Sequence, residues 1–243
     1  VCSSDLCLLF TVLVSLTACR TSPPQPAPPV AETTSVKPGI NDKFLDPKLN
    51  VEEWTKKFET ESREIFHQRD QIVAAAGLKP GMTMADIGAG TGLFTLHFAQ
   101  AVGAGGKVYA VEIAKNFLEH IKARASKASA SNVQTILCTE KSVELPEASI
   151  DLAFICDVYH HFEYPQAMLA SLHAALKPGG AIVIVDKCEA ATGYQATVLW
   201  RLTLAGKVAA GVDARKSQHL PGDHAVRSEE HTSELQSHHV ISY

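Results

Sequence analysis

The sequence predicts an α/β fold: a doubly wound, mostly parallel sheet with helices on both faces. Three observations carry that expectation. Short, nearly continuous apolar runs alternate with segments whose apolar residues recur at helical spacing, the pattern of parallel strands covered on both sides. A glycine-dense turn, Asp86-Ile87-Gly88-Ala89-Gly90-Thr91-Gly92, follows the first of those runs. With 243 residues, 46% of them hydrophobic, the chain is long enough to bury one sizeable core.

The elements follow in order. Asn50, with Glu53 three residues on, has the form of a capping box. Trp54, Phe58, Ile65, Phe66, Ile72 and Val73 then share one helical face, so one helix is expected, ended by Gly77 and Pro80. A buried strand is expected at 82–87, and Leu93, Phe94, Leu96, Phe98, Ala99 and Val102 mark the helix after the glycines. Residues 107–113 (KVYAVEI) give a second strand, and Phe117, Leu118, Ile121 and Ala125 a second helix of the repeat. Strands at 133–138 and 150–156 (IDLAFIC) follow. A helix over 167–176 stops at Lys177-Pro178-Gly179-Gly180, before a fifth strand at 181–186 (AIVIVD). Cys138 and Cys156 fall on strands that this topology does not pair, so they read as core residues rather than a disulfide. Over 187–226 the pattern is lost, with an apolar, basic patch at 198–208 and no clear strand pair; a frameshift just after Asp186 would explain this, and the nucleotide sequence would decide it. The fifth strand would then stand at an open sheet edge.

Both ends read as foreign. Cys2-Ser3-Ser4-Asp5-Leu6 can be encoded by TGCTCTTCCGATCT, and Arg227-Ser228-Glu229-Glu230-His231 by its reverse complement, a common sequencing adapter. Residues 1–6 and 227–243 are therefore set aside as adapter-derived, and the native gene is expected to continue beyond Val226. The histidines of that tail, His231, His238 and His239, carry no metal reading for the same reason. Residues 8–16 are too short to cross a bilayer but suit the core of a signal peptide. They end in Leu16-Thr17-Ala18-Cys19, which resembles the bacterial lipobox. That resemblance implies cleavage before Cys19 and a lipid on its thiol. A proline-rich linker over 20–40 follows, unable to pack as helix or sheet, and leads to a domain over 41–186. The implied location is the bacterial envelope, on the periplasmic face, with Arg20 favouring the outer membrane; an unused leader would leave the domain cytoplasmic.

Composition excludes some functions. The net charge is −4 and Lys and Arg form no block, so no nucleic-acid partner is expected. The six cysteines show no metal-ligand spacing, and no metal is expected. The membrane is reached through the lipid anchor only.

The glycine turn narrows the ligand. A phosphate loop, GxxxxGK[ST], is absent. A dinucleotide fingerprint, GxGxxG, fails in both registers, at Leu93 and at Thr95, which disfavours a nucleotide-dependent oxidoreductase. What remains is D-x-G-x-G-x-G. With the order of strands and Leu176-Lys177-Pro178-Gly179-Gly180 before the fifth, this resembles the class I S-adenosylmethionine-dependent methyltransferases, over roughly 71–186.

The resemblance implies a Rossmann-like methyltransferase fold, usually closed by an antiparallel strand pair, and S-adenosylmethionine as cofactor. Asp86 would hold the methionine end, with Gly88, Ala89, Gly90 and Gly92 packed along methionine and ribose. Glu112, with Ile113 beside it, would accept the ribose hydroxyls; as an alternative it is a solvated strand end. Thr139-Glu140 stands where relatives hold adenine, and Asp157, opening Asp157-Val158-Tyr159-His160-His161-Phe162, would face the methyl group. His160 is the candidate base and Tyr159 a candidate wall for the acceptor; the two histidines can equally be loop caps, one packed and one exposed. The expected activity is methyl transfer to a small-molecule or protein acceptor. The alternative is a non-catalytic envelope lipoprotein that uses the fold as a binding module.

Overall fold

Five apolar runs become five parallel strands in the computed structural model, which describes residues 32–61, 63–189 and 195–203. The leader with Cys19, most of the linker and the adapter-like ends lie outside the described residues. The strands are β1 (Thr83–Ile87), β2 (Lys107–Glu112), β3 (Val133–Leu137), β4 (Ile150–Cys156) and β5 (Leu176–Glu189). A sixth, β6 (Gln195–Thr203), completes the order β3-β2-β1-β4-β5-β6. Helices α5 (Leu93–Val102), α6 (Lys115–Lys127) and α7 (Pro165–Ala175) form the crossovers.

Strand alternation builds the two layers of the core. Met84 of β1 and Leu152 and Phe154 of β4 face one side, where Phe94, Phe98 and Val102 of α5 cover them. Ala85, Ile87, Ala153 and Ile155 face the other, under Met168, Leu172 and Ala175 of α7. Phe98 meets Phe154 edge-on at 4.7 Å between ring centres. Both layers are apolar and buried, and burial of this kind is the main source of the domain's stability.

Three expectations are corrected. The single N-terminal helix is three pieces: α2 (Val51–Phe58), α3 (Glu64–His67) and α4 (Arg69–Ala75). Helical geometry stops at Glu59, whose φ of −105° and ψ of 60° leave the α region. The break has a cause in packing. Glu59 and Arg63 turn towards distant partners described below, and the apolar stripe divides. Trp54 and Phe58 join Phe44 and Phe117, whereas Ile65 and Ile72 enter the sheet's core. Asn50 caps α2 as expected, its side chain accepting from the amides of Glu52 and Glu53. A short helix not read from the sequence, α1 (Asp42–Leu45), precedes it.

The second correction concerns the Lys177–Gly180 turn. β5 begins at Leu176, five residues before the expected start, and the turn is an irregularity within it. The register against β4 shifts between Ile150 and Leu152, and Gly179 takes a φ of +80°. Third, β5 is not the edge. β6 pairs with it antiparallel from Ala181↔Thr203 to Glu189↔Gln195, so one antiparallel strand is present; a second would fall after Thr203, outside the described residues. Cys138 and Cys156 are unpaired, separated by the width of β2 and β1.

Candidate functional site

Chain order runs outward from β1 through β2 to β3, then crosses to β4 on the other side of β1. Connections therefore leave β1 and β4 in opposite directions, and a crevice opens beyond their carboxyl ends. A cavity of about 250 Å³ lies there.

The first strand tip supplies Asp86, 3% exposed. Its Oδ2 accepts from Thr95 Oγ1 at 2.6 Å. Burial pushes this carboxyl up to about 7; the Thr95 bond opposes the rise and nearby Glu112 adds to it. The second strand tip supplies Glu112, also buried. Burial raises its pKa as well, against the pull of three backbone amides. Ile113 N and Ala114 N donate to Oε1 at 2.8 and 3.0 Å, and Gly90 N donates to Oε2 at 2.9 Å. Glu112 is thus a strand-end acid folded back onto the loop, not a solvated one. Two buried acids flank one glycine loop, and together they favour a cationic ligand.

The loop is built by close approach. Gly88 has φ +67°, and a Cβ there would sit 2.5 Å from Val158 Cγ1, so this position needs glycine. Gly92 has a different role from the one expected. It does not line the cavity; it caps α5 in the left-handed region, where a Cβ would meet Ile121 Cγ1 at 2.8 Å. Gly88, Ala89 and Gly90 do line it, together with Asp86, Glu112 and Ile113. Glu140, held on a turn in which Thr139 Oγ1 accepts from Ser142 N at 3.0 Å, lines it from the β3 side.

On the β4 side Asp157 takes a φ of +55° and is ion-paired with Arg63 Nη2 at 2.5 Å. His160 lies on the 3₁₀ turn Tyr159–His161 and lines the cavity; Tyr159 does not, and instead packs on Phe162 with ring centres 5.5 Å apart. His160 is exposed and His161 half-buried. His160 Nδ1 is 3.3 Å from Asp186 Oδ2. Ligand atoms of Asp157, His160 and Asp186 fall within 4.8 Å of one another, a grouping that no spacing along the chain announces. Cys138 and Cys156 also face the cavity, but burial pushes the Cys138 thiol up to about 12 and Cys156 well above its ordinary value, so neither is a nucleophile.

Several contributors carry no local sequence signal. Phe44, Trp54, Phe58 and Phe117 wall the cavity with aromatic rings. Glu59 joins Thr91 Oγ1 at 2.7 Å and pairs with Arg124, whose Nη1 also reaches Thr91 O at 3.0 Å. Only the i, i+4 spacing of Trp54 and Phe58 could have pointed to this cap.

Comparison with known proteins agrees with this fold. Residues 85–184 match the methyltransferase domain family. A ubiquinone/menaquinone biosynthesis C-methyltransferase UbiE from Burkholderia orbicola (strain MC0-3) is 27% identical over 114 residues, 47% of this chain and 46% of that protein. The corresponding enzyme of Cupriavidus taiwanensis is 28% identical over 115 residues. The chain thus spans about half the length of the curated relatives it matches. Among solved structures, a SAM dependent methyltransferase from Aquifex aeolicus is 26% identical, covers 59% of this chain and 76% of its own, and superposes with a TM-score of 0.53.

Proposed function

We propose that this chain, whose residues 85–184 match the methyltransferase domain family, transfers the methyl group of S-adenosylmethionine to an acceptor. One juxtaposition carries the reading: the buried acids Asp86 and Glu112 and the glycine loop between them line a single cavity at the switch point of the sheet. A molecule bearing ammonium and sulfonium charges compensates both acids; a dinucleotide, with its phosphates, would add repulsion.

On this reading Asp86 holds the amino-acid end, and Gly88, Ala89 and Gly90 run along methionine and ribose. Glu112 takes the ribose hydroxyls. Three of its roughly four acceptor positions are already used, so the Gly90 amide yields its place for both hydroxyls to bind. Ile113 and Glu140 flank the adenine, and Asp157 faces the reacting end. Gly92 serves by shaping the loop. Bound there, S-adenosylmethionine supplies an electrophilic methyl carbon. The ring-lined wall of Phe44, Trp54 and Phe58 supports a small apolar acceptor over a protein one.

Titration calorimetry tests the assignment. S-adenosylmethionine and S-adenosylhomocysteine should bind and NAD should not. Asp86→Ala and Glu112→Ala should each weaken binding at least tenfold with the circular dichroism unchanged. Undiminished affinity in both variants would remove the cofactor reading.

We further propose that Cys19 carries a lipid that holds the domain at the bacterial envelope, on the strength of Leu16-Thr17-Ala18-Cys19 and the proline-rich stretch after it. Metabolic labelling with an alkyne fatty acid should mark the wild-type chain and not Cys19→Ser; equal labelling would exclude it.

A further inference from the structure

We propose that Asp186, near the end of β5, positions His160 as the base of the cavity, so that the acceptor is a proton-bearing nucleophile such as a phenol or an amine. The proposal rests on the methyl-transfer reading above and adds a residue and a substrate class to it.

The geometry gives the two groups unequal freedom. Asp186 exposes 13% of its side chain and His160 exposes 40%, so the carboxylate is the fixed partner and the ring the accessible one. Their contact is 3.3 Å between His160 Nδ1 and Asp186 Oδ2, a length common before a substrate tightens a site. An ionised carboxylate only accepts. Nδ1 therefore carries the hydrogen, and the lone pair is left on Nε2. No group among the described residues is hydrogen-bonded to Nε2, and His160 lines the cavity beside Asp157.

The neighbours that compete for either role are engaged or unsuited. Asp157 is paired with Arg63 at 2.5 Å and is not the orienting acid. His161 is a poor base: burial first, then His160, Lys43 and Lys37, push its pKa down to about 4. Both cavity thiols stay protonated.

The step balances. The acceptor's nucleophilic atom bonds to the methyl carbon as the carbon–sulfur bond of the donor breaks, its electron pair going to sulfur. The acceptor's proton passes to Nε2, and the imidazolium later returns it to water. A thioether or tertiary amine has no proton to lose and would make no use of the pair.

The test is the ring's tautomer, read by long-range ¹H–¹⁵N spectra of histidine-labelled protein with S-adenosylhomocysteine bound. His160 should be the Nδ1–H form in the wild type. Asp186→Ala should move it to the Nε2–H form that free imidazole prefers, and Asp186→Asn, which keeps an acceptor oxygen, should retain Nδ1–H. Calorimetry on the same samples separates the two readings. If S-adenosylhomocysteine fails to bind the wild type, methyl transfer itself falls. If it binds and His160 is Nε2–H, or is unmoved in Asp186→Ala, the positioning role falls; the wild-type spectrum decides even where a variant does not fold. Mn²⁺ added alone should leave His160 unbroadened, because Arg63 already supplies the positive charge at Asp157. Broadening that Asp186→Ala abolishes would assign the cluster to a cation instead and overturn the proposal.

Discussion

Asp86 lies beneath Thr95 with its carboxyl pushed from 3.8 up to about 7, mainly by burial. A group with a folded pKa above its unfolded one binds more protons in the native state. Its stability contribution is full below about 3.8 and is lost as pH rises through about 7. The buried Glu112, raised in the same direction, acts in the same sense. Without ligand, the domain's melting temperature should therefore fall from pH 4 to pH 7, and Asp86→Asn should flatten that slope; a wild-type profile that rises over this range would contradict the burial of Asp86. A cationic ligand reverses the balance by drawing Asp86 into its ionised form. At pH 6, binding of S-adenosylmethionine should release protons, seen as a heat that depends on the buffer's ionisation enthalpy, and Asp86→Asn should release fewer.

Helix α2 brings Trp54 and Phe58 to the cavity wall and is fastened at its end. The capping box fixes where it starts, but Glu59 decides where it stops, because its carboxylate is committed to Thr91 of the glycine loop and to Arg124 of α6. Hydrogen bonds of charged groups contribute about 1.5–3 kcal/mol each when both partners are held. Glu59 shows only 14% of its side chain to solvent, so little of that is lost to water. Glu59→Ala should weaken cofactor binding about tenfold by loosening the loop between Gly90 and Gly92, while the far-ultraviolet spectrum keeps its sheet and helix signal. Full affinity in this variant would show that the loop holds its shape without α2. The split of the expected long helix has the same origin: each half buries its apolar residues against a different partner, and no continuous helix satisfies both.

At the level of the whole sheet, β6 changes the chemistry of the edge. β5 would otherwise present a long row of unpaired amides and carbonyls, a template for another chain. Nine residue pairs from Ala181↔Thr203 to Glu189↔Gln195 cover it. A chain ending after Glu189 should associate in a concentration-dependent way on size-exclusion chromatography, while the 243-residue chain should run at a constant, smaller size. Equal behaviour of the two would mean that β6 does not protect the edge. The switch point depends on the sheet as well, since it is the crossing from β3 back to β4 that opens the crevice between two outgoing connections.

The α/β class, the five parallel strands and the loop from Asp86 to Gly92 were determined by local pattern: apolar runs of strand length, and glycines where the backbone turns left-handed. The candidate site residues read from the sequence, Gly92 and Tyr159 excepted, meet at one cavity because strand tips of a parallel sheet converge there whatever the details of packing. Tertiary structure decided the rest. It reassigned Gly92 to packing against Ile121 and Tyr159 to packing against Phe162, broke the N-terminal helix at Glu59, and placed β6 over β5. It also brought Arg63 to Asp157 across 94 positions and His160 to Asp186 across 26. A sequence records periodicity along the chain, but a charge's partner depends on where distant elements stop. That is why the cluster at the tips of the first two strands was legible from the residues in order, and the ion pairs on the β4 side of the cavity only from their arrangement in space.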